Sequence, residues 1–181
     1  MRPLVYSVAA SLDGFIAGPN GEFDWIIQDP TIDFAEIFSA FDTLVMGRHS
    51  YELMLRAGHS PKEFGMKVFV ASTTLDPAGH PDVQIVASRL AETVAGLKHK
   101  SGKDIWLFGG GIIFRSMLDA GLVDRVEISL IPVLLGEGIP VVPPGRRCPL
   151  LFKDSRTFPS GIVSLTYAVG KDREQGTEGG H

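Results

Sequence analysis

Two short apolar runs of this chain give way to glycine just where an amphipathic segment begins, and that placement has a chemistry. In Ile105-Trp106-Leu107-Phe108-Gly109-Gly110-Gly111-Ile112-Ile113, three bare residues end a strand-like run and open a helix. A helix N-terminus presents unpaired N–H donors and partial positive charge, and glycine has no Cβ to keep an anion off the backbone, so the segment suits a phosphate. It is neither the dinucleotide fingerprint GxGxxG nor a Walker motif. Taken alone it also reads as a tight turn that lets a helix pack close to a sheet. Met46-Gly47-Arg48-His49-Ser50 repeats the arrangement: Gly47 frees the backbone, Arg48 offers a planar fork for phosphate and Ser50 a hydroxyl donor. Arg48 reads alternatively as a solvated helix-start residue. A third strand end, Val70-Ala71-Ser72-Thr73-Thr74, offers hydroxyls. Ligands of open α/β sheets lie off the carboxyl ends of the strands, so three such ends together favour one extended dinucleotide.

Strands and helices have to hold these ends side by side. Leu4–Ala10 is a continuous apolar run of the kind buried on both faces, and Thr43–Met46, Lys67–Ala71, Val83–Ala87 and Ile105–Phe108 are further strands. Phe34, Ile37, Phe38 and Phe41 fall at i, i+3, i+4, i+7 and predict a helix. A short helix covers Arg48–Arg56. Leu90, Val94 and Leu97 predict another, reaching Lys98 with Ser88 as its N-cap. A last helix runs from Ile112 to Ala120, with Gly121 ending it. Arg125–Leu130 alternates, with Val126, Ile128 and Leu130 on one face. Phe152–Phe158 and Ile162–Val169 flank the turn Pro159-Ser160-Gly161 as a hairpin. This order predicts a three-layer α/β fold: a mostly parallel central sheet, helices on both faces and a C-terminal antiparallel hairpin, in one domain spanning residues 1–170. Ser11–Trp25 reads as a loop, with Asp13-Gly14 and Pro19-Asn20-Gly21 as its turns.

Composition narrows the classes. At 181 residues, 44% hydrophobic and 21% charged, the chain is long enough for a single domain with a real core. A net charge of −4 with no basic block argues against nucleic acid. One cysteine, Cys148, excludes a disulfide framework and a cysteine zinc site, and the five histidines lack metal-ligand spacing, so no metal is expected. Cys148 sits in Arg146-Arg147-Cys148-Pro149, where nearby positive charge would favour the thiolate. No run approaches the ~18 apolar residues of a membrane span, and the N-terminus lacks a signal-peptide pattern, so a cytoplasmic protein is expected. Lys171–His181 is rich in charge and glycine and reads as a disordered tail. Most of the 21 glycines lie before it.

The strand–helix junctions carry a resemblance. Val45-Met46-Gly47-Arg48-His49-Ser50-Tyr51-Glu52 resembles the cofactor-binding junction of dihydrofolate reductases, and Phe108-Gly109-Gly110-Gly111 resembles their second glycine motif. Ser11-Leu12-Asp13-Gly14-Phe15-Ile16-Ala17 and Leu130-Ile131-Pro132-Val133-Leu134-Leu135-Gly136-Glu137-Gly138-Ile139-Pro140 resemble the C-terminal reductase domain of the bifunctional riboflavin-biosynthesis deaminase–reductase. The resemblance runs from about Arg2 to Val169. It implies the dihydrofolate-reductase-like fold and NADPH as cofactor. Gly47, Arg48, His49 and Ser50 would then meet phosphates, with Arg48 reading the 2′-phosphate or the pyrophosphate. Ser72 and Thr73 would lie near the adenosine end. Gly109, Gly110, Gly111, Ile112 and Ile113 would cradle the pyrophosphate, and the Gly109–Gly110 peptide would be cis. The loop Ala10–Trp25 would be a lid over the nicotinamide that excludes water from hydride transfer.

On the substrate side the resemblance is looser. Asp13 and Trp25 would face the substrate, with water or a carboxylate such as Asp13 or Asp33 delivering the proton, although Asp13 also reads as an Asp-Gly turn residue and Trp25 as core packing. Dihydrofolate reductases place a carboxylate in the helix after the lid; here Asp33 is the candidate acid and Glu36 the second, each also readable as a helix N-terminal carboxylate. The riboflavin reductases carry a basic residue after SLDG, where this chain has Phe15, a departure that suggests a flatter or more apolar ring. The leading function is an NADPH-dependent reductase of a small heteroaromatic or ribosylated pyrimidine, like 5-amino-6-(5-phosphoribosylamino)uracil reductase. The alternatives are a dihydrofolate or pterin reductase and a non-catalytic NADP-binding module. The resemblance also implies a homodimer, with the apolar run Ile128–Val142 as a candidate contact.

Overall fold

The computed structural model describes residues 1–170, and the tail expected from Lys171 onward lies outside them. Among the described residues the strands are β1 (Leu4–Ser11), β2 (Phe15–Ala17), β3 (Phe41–Gly47), β4 (Lys67–Ala71), β5 (Gln84–Val86), β6 (Asp104–Gly109), β7 (Arg125–Ile131), β8 (Ile139–Pro140), β9 (Leu150–Thr157) and β10 (Val163–Val169). The helices are α1 (Phe34–Ser39), α2 (Arg48–Arg56), α3 (Leu90–Lys98) and α4 (Gly111–Asp119). Eight strands form one sheet in the order β5-β4-β3-β6-β1-β7-β10-β9. All neighbours from β5 to β7 are parallel, and β10 is antiparallel to both β7 and β9.

Alternation along the central strands divides their apolar residues between two cores. Leu4, Tyr6, Val45, Phe69, Ile105 and Leu107 point to the face packed by Val94 and Leu97 of α3 and by Phe114 and Met117 of α4. Val5, Leu44, Met46, Val68, Val70 and Trp106 point to the other, under Tyr51 and Met54 of α2 and Phe38 of α1. Covering both faces is why these strands read as unbroken apolar runs. The sandwich fixes the carboxyl ends of β3, β4 and β6 at one edge of the molecule.

Three expectations need correction. Phe41 is not on the first helix: Asp33 caps α1, Ala40 closes it with N–H bonds to Ile37 and Phe38, and Phe41 opens β3, where β6 claims its backbone and its ring stacks on Trp106 at 5.6 Å. Ser88 does not cap α3; the N-cap is Arg89, in the left-handed region at φ 56°. The loop Ser11–Trp25 contains β2, which pairs with β8 about 120 residues away, too short to show periodicity. The run Ile128–Val142 opens within β7, which lies between β1 and β10, and carries the exposed side chains of Leu134 and Val142 farther on. Leu150, Leu151 and Phe152 on the edge strand β9 are exposed as well.

Candidate functional site

The chain runs from β3 outward to β4 and β5, whereas β6, β1 and β7 lie on the other side of β3. The sheet therefore changes direction between β3 and β6, and a crevice at such a switch point is where an α/β sheet takes its ligand. Met46 pairs with Gly109 across it, so Gly47 and Gly109 end neighbouring strands. Gly109 has φ 141°, and the Gly109–Gly110 peptide is cis. A Cβ on Gly109 or Gly110 would meet only the Ser50 hydroxyl, at 3.8 and 3.7 Å, so this backbone is open to a ligand. Gly47 and Gly111 are bare for another reason. A Cβ on Gly47 would stand 3.1 Å from Ile113 Cγ1, and one on Gly111 would stand 2.9 Å from the Pro140 carbonyl oxygen. Close packing thus accounts for Gly47 and Gly111, whereas Gly109 and Gly110 leave their backbone open.

Beside this crevice lies a cleft of about 530 Å³. Its wall brings together Arg48, Ser72, Thr73, Ile112 and Ile113 from α2, the β4 end and α4, and adds Thr74, Ser88, Arg89 and Ser116. Arg48 donates from Nη1 to Thr74 Oγ1 at 2.8 Å, and its Nε lies 3.7 Å from Glu52. The Ser72 hydroxyl accepts from the N–H groups of Thr74 (3.2 Å) and Leu75 (3.0 Å), which fixes the turn that carries these hydroxyls. Arg89 reaches Glu92 at 3.4 Å. The carboxylate partner of each guanidinium is thus a loose one, the kind of pair worth little in water and readily given up to a phosphate. His49 is exposed on the first turn of α2 and does not line the cleft. Arg89 had no signal in the sequence; its position depends on a left-handed turn that propensity does not announce for arginine.

The loop Ser11–Trp25 is tied to the strand-linking segment around Gly136 by a carboxylate. Asp13 accepts N–H bonds from Leu135 at 3.1 Å and Gly136 at 2.7 Å. The Ser11 hydroxyl and the Gly136 N–H hold its carboxyl below the ordinary range, so Asp13 is an anchored anion and is not posed as a proton donor. Asp33 is likewise taken up by its cap, accepting from Glu36 N at 3.0 Å. Phe15 lies in β2 against Gly138, where a Cβ would come within 3.2 Å of it. Trp25 donates from its indole N–H to the Glu22 carbonyl at 3.0 Å, closing a turn inside the lid.

The carboxylate that the sequence did not reveal is Asp29. It is buried and joins the segment after Trp25 to the β9–β10 turn, accepting from Ser160 N at 3.0 Å, Thr31 N at 2.8 Å and Thr31 Oγ1 at 2.5 Å. Hydrogen bonds from Ser160 and Thr31 hold it far below the usual carboxylate range. A depressed native pKa means that the unfolded chain takes the proton more readily. The stabilisation is therefore complete above the ordinary carboxylate pKa and is lost as pH falls through the native value. Urea midpoints of wild type and Asp29→Asn are expected to differ by a steady gap from about pH 7 to about pH 5, which narrows as pH falls from about 4 to about 2.5. A gap that stays constant over that range would remove this role.

Comparison with known proteins identifies the family and the fold. Residues 2–164 match the model of the RibD C-terminal domain. The uncharacterized protein YyaP of Bacillus subtilis is 35% identical over 178 residues, covering 92% of this chain and 94% of YyaP. A solved structure from Shewanella sp. PV-4, assigned to riboflavin biosynthesis, superposes with TM-score 0.80 and 28% identity, covering 94% of this chain and all of that one. The fold is shared with the Thermotoga maritima diaminohydroxyphosphoribosylaminopyrimidine deaminase/5-amino-6-(5-phosphoribosylamino)uracil reductase (TM-score 0.70, 17% identity, 93% of this chain and 57% of that one). It is shared too with Enterococcus faecalis dihydrofolate reductase complexed with NADP(H) (TM-score 0.67, 18% identity, 93% and 97%). The fold is thus of the dihydrofolate-reductase type, and the chain belongs to the RibD C-terminal domain family.

Proposed function

We propose that the chain is an NADPH-dependent reductase that transfers hydride to a small heteroaromatic or ribosylated pyrimidine substrate, in the manner of 5-amino-6-(5-phosphoribosylamino)uracil reductase. The observation that carries the reading is the convergence of two arginines and several hydroxyls on one cleft beside the open Gly109–Gly110 backbone. Arg48 and Arg89, with Ser72 and Thr73, would hold the adenosine phosphate. Gly109, Gly110 and Ser50, with the first-turn N–H groups of Ile112 and Ile113, would hold the pyrophosphate. NADPH supplies the hydride, and the protein aligns it and excludes water. The lid residues Phe15 and Trp25 would flank the substrate. Because Asp13 and Asp33 are both engaged by backbone N–H groups, the proton comes from water. The protein works in the cytoplasm, where NADPH is available, and as a homodimer, for which the exposed apolar side chains of β9 are the proposed contact.

Loss of NADPH absorbance with a ribosylated pyrimidine, compared with dihydrofolate and simple carbonyls, tests the reading. Turnover of dihydrofolate alone would make it a pterin reductase, and cofactor binding without any turnover would make it a non-catalytic module. Arg89 gives a further check. At φ 56° its side chain costs about 1 kcal/mol that glycine would not. Arg89→Gly is therefore expected to raise the melting temperature slightly while weakening NADPH binding about tenfold, the scale of one charged hydrogen bond. A variant that is stabilised yet binds as tightly as wild type would take Arg89 out of the site.

A further inference from the structure

Residues 133–143 form a strap hydrogen-bonded on one side to the lid and packed on the other against the start of α4 at Gly111. On the lid side, Asp13 takes the N–H groups of Leu135 and Gly136, and Leu12 N donates to the Val133 carbonyl at 2.9 Å. Next, β8 pairs with β2, and Val141 N donates to the Gly14 carbonyl at 2.9 Å. On the α4 side, the Pro140 and Val141 carbonyl oxygens and the Pro143 ring stand 2.9 to 3.1 Å from where a Gly111 side chain would begin. The buried Tyr6, stacked on Phe114 of α4 with ring centroids 3.8 Å apart, pins the Val141 carbonyl through its hydroxyl at 3.0 Å. Pro140 and Val141 thus take part in both attachments.

We infer that Asp13 and Gly111 are positioning residues at the two ends of one strap, which couples the order of the lid to the placement of the Gly110–Ile113 backbone. The start of α4 lies so close to the strap that a methyl at Gly111 would not fit, and in a close-packed interior a shift of the α4 start toward the strap moves Pro140 and Val141, and through them β2. Coupling of this kind is reciprocal: what loosens the lid loosens the cradle, and the reverse. Asp13 therefore affects the cofactor site without touching a reacting atom. The inference rests on the reductase reading only for the identity of the ligand in the cradle; the coupling itself belongs to the free chain.

Hydrogen exchange read by mass spectrometry on the ligand-free protein tests it, with Asp13→Ala, Gly111→Ala and the double variant. Asp13→Ala is expected to speed exchange in residues 12–28 and also in residues 110–114. Gly111→Ala is expected to do so in the same two segments, each by about tenfold, with α3 unchanged. The double variant should show less than the product of the two effects. Tyr6→Phe, which removes one hydroxyl and keeps the ring on Phe114, should give the same pattern more weakly and serves if Gly111→Ala does not fold. Effects confined to the substituted end, independent effects in the double variant, or faster exchange in α3 as well would each overturn the coupling. The cofactor arm is separate. NADPH should slow lid exchange in wild type and not in Asp13→Ala, whereas a complete lack of NADPH binding defeats the reductase reading and leaves the free-chain result standing.

Discussion

Arg48→Ala is expected to weaken NADPH binding by about 10- to 100-fold, the range of one or two charge-assisted hydrogen bonds to phosphate, and to leave NADH binding nearly unchanged. The asymmetry is the point. Arg48 stands at the mouth of the cleft with one hydroxyl partner, Thr74, and a loose contact to Glu52, so its removal breaks no buried network. The fold should hold, with stability within about 0.5 kcal/mol of wild type as for other surface substitutions. Titration of both nucleotides against both proteins separates the outcomes. Equal losses for NADPH and NADH would place Arg48 at the shared pyrophosphate, and no loss would remove it from the site.

Gly110→Ala is expected to have the other large effect. Gly110 has ordinary extended backbone, with φ −86° and ψ −173°, and an added methyl would find no atom nearer than the Ser50 hydroxyl at 3.7 Å. The protein itself has room for the methyl. A pyrophosphate lying against the Gly110 N–H does not, and an affinity loss of about tenfold or more follows from displacing one charged hydrogen bond. Unchanged melting with lost cofactor binding is the expected pair of results. Unchanged binding would show that the open backbone faces nothing but solvent. Gly111→Ala is not equivalent, because its methyl would strike the Pro140 carbonyl.

What could be read from the sequence follows from the range of the forces involved. β1, β3, β4 and β6 were legible because strands buried on both faces are apolar throughout, and α2 and α4 because they begin at a glycine after such a strand. The stretch holding Arg48, Ser72 and Ile112 could be picked out because each lies beside its own strand end. The missed features depend on distant partners. Nothing near Phe15 signals that it will pair with Pro140, and nothing near Asp29 signals Ser160. Gly111 looked like a ligand glycine because its local pattern is the same as that of Gly110. Only the strap, some 30 residues onward, distinguishes them. Asp13 looked like an acid because an exposed carboxylate beside a glycine turn carries no local mark of the N–H groups that occupy it.

The central claim is that the crevice between β3 and β6, with the arginine-lined cleft beside it, is built for NADP(H). Isothermal titration of the wild-type chain with NADP⁺ and with NAD⁺ tests it most directly, since the two differ only in the phosphate that Arg48 and Arg89 are proposed to read. Saturable binding of one NADP⁺ per chain, tighter than NAD⁺ by about tenfold or more, is the predicted result. Equal affinities, or no saturable heat with either nucleotide, would contradict the account.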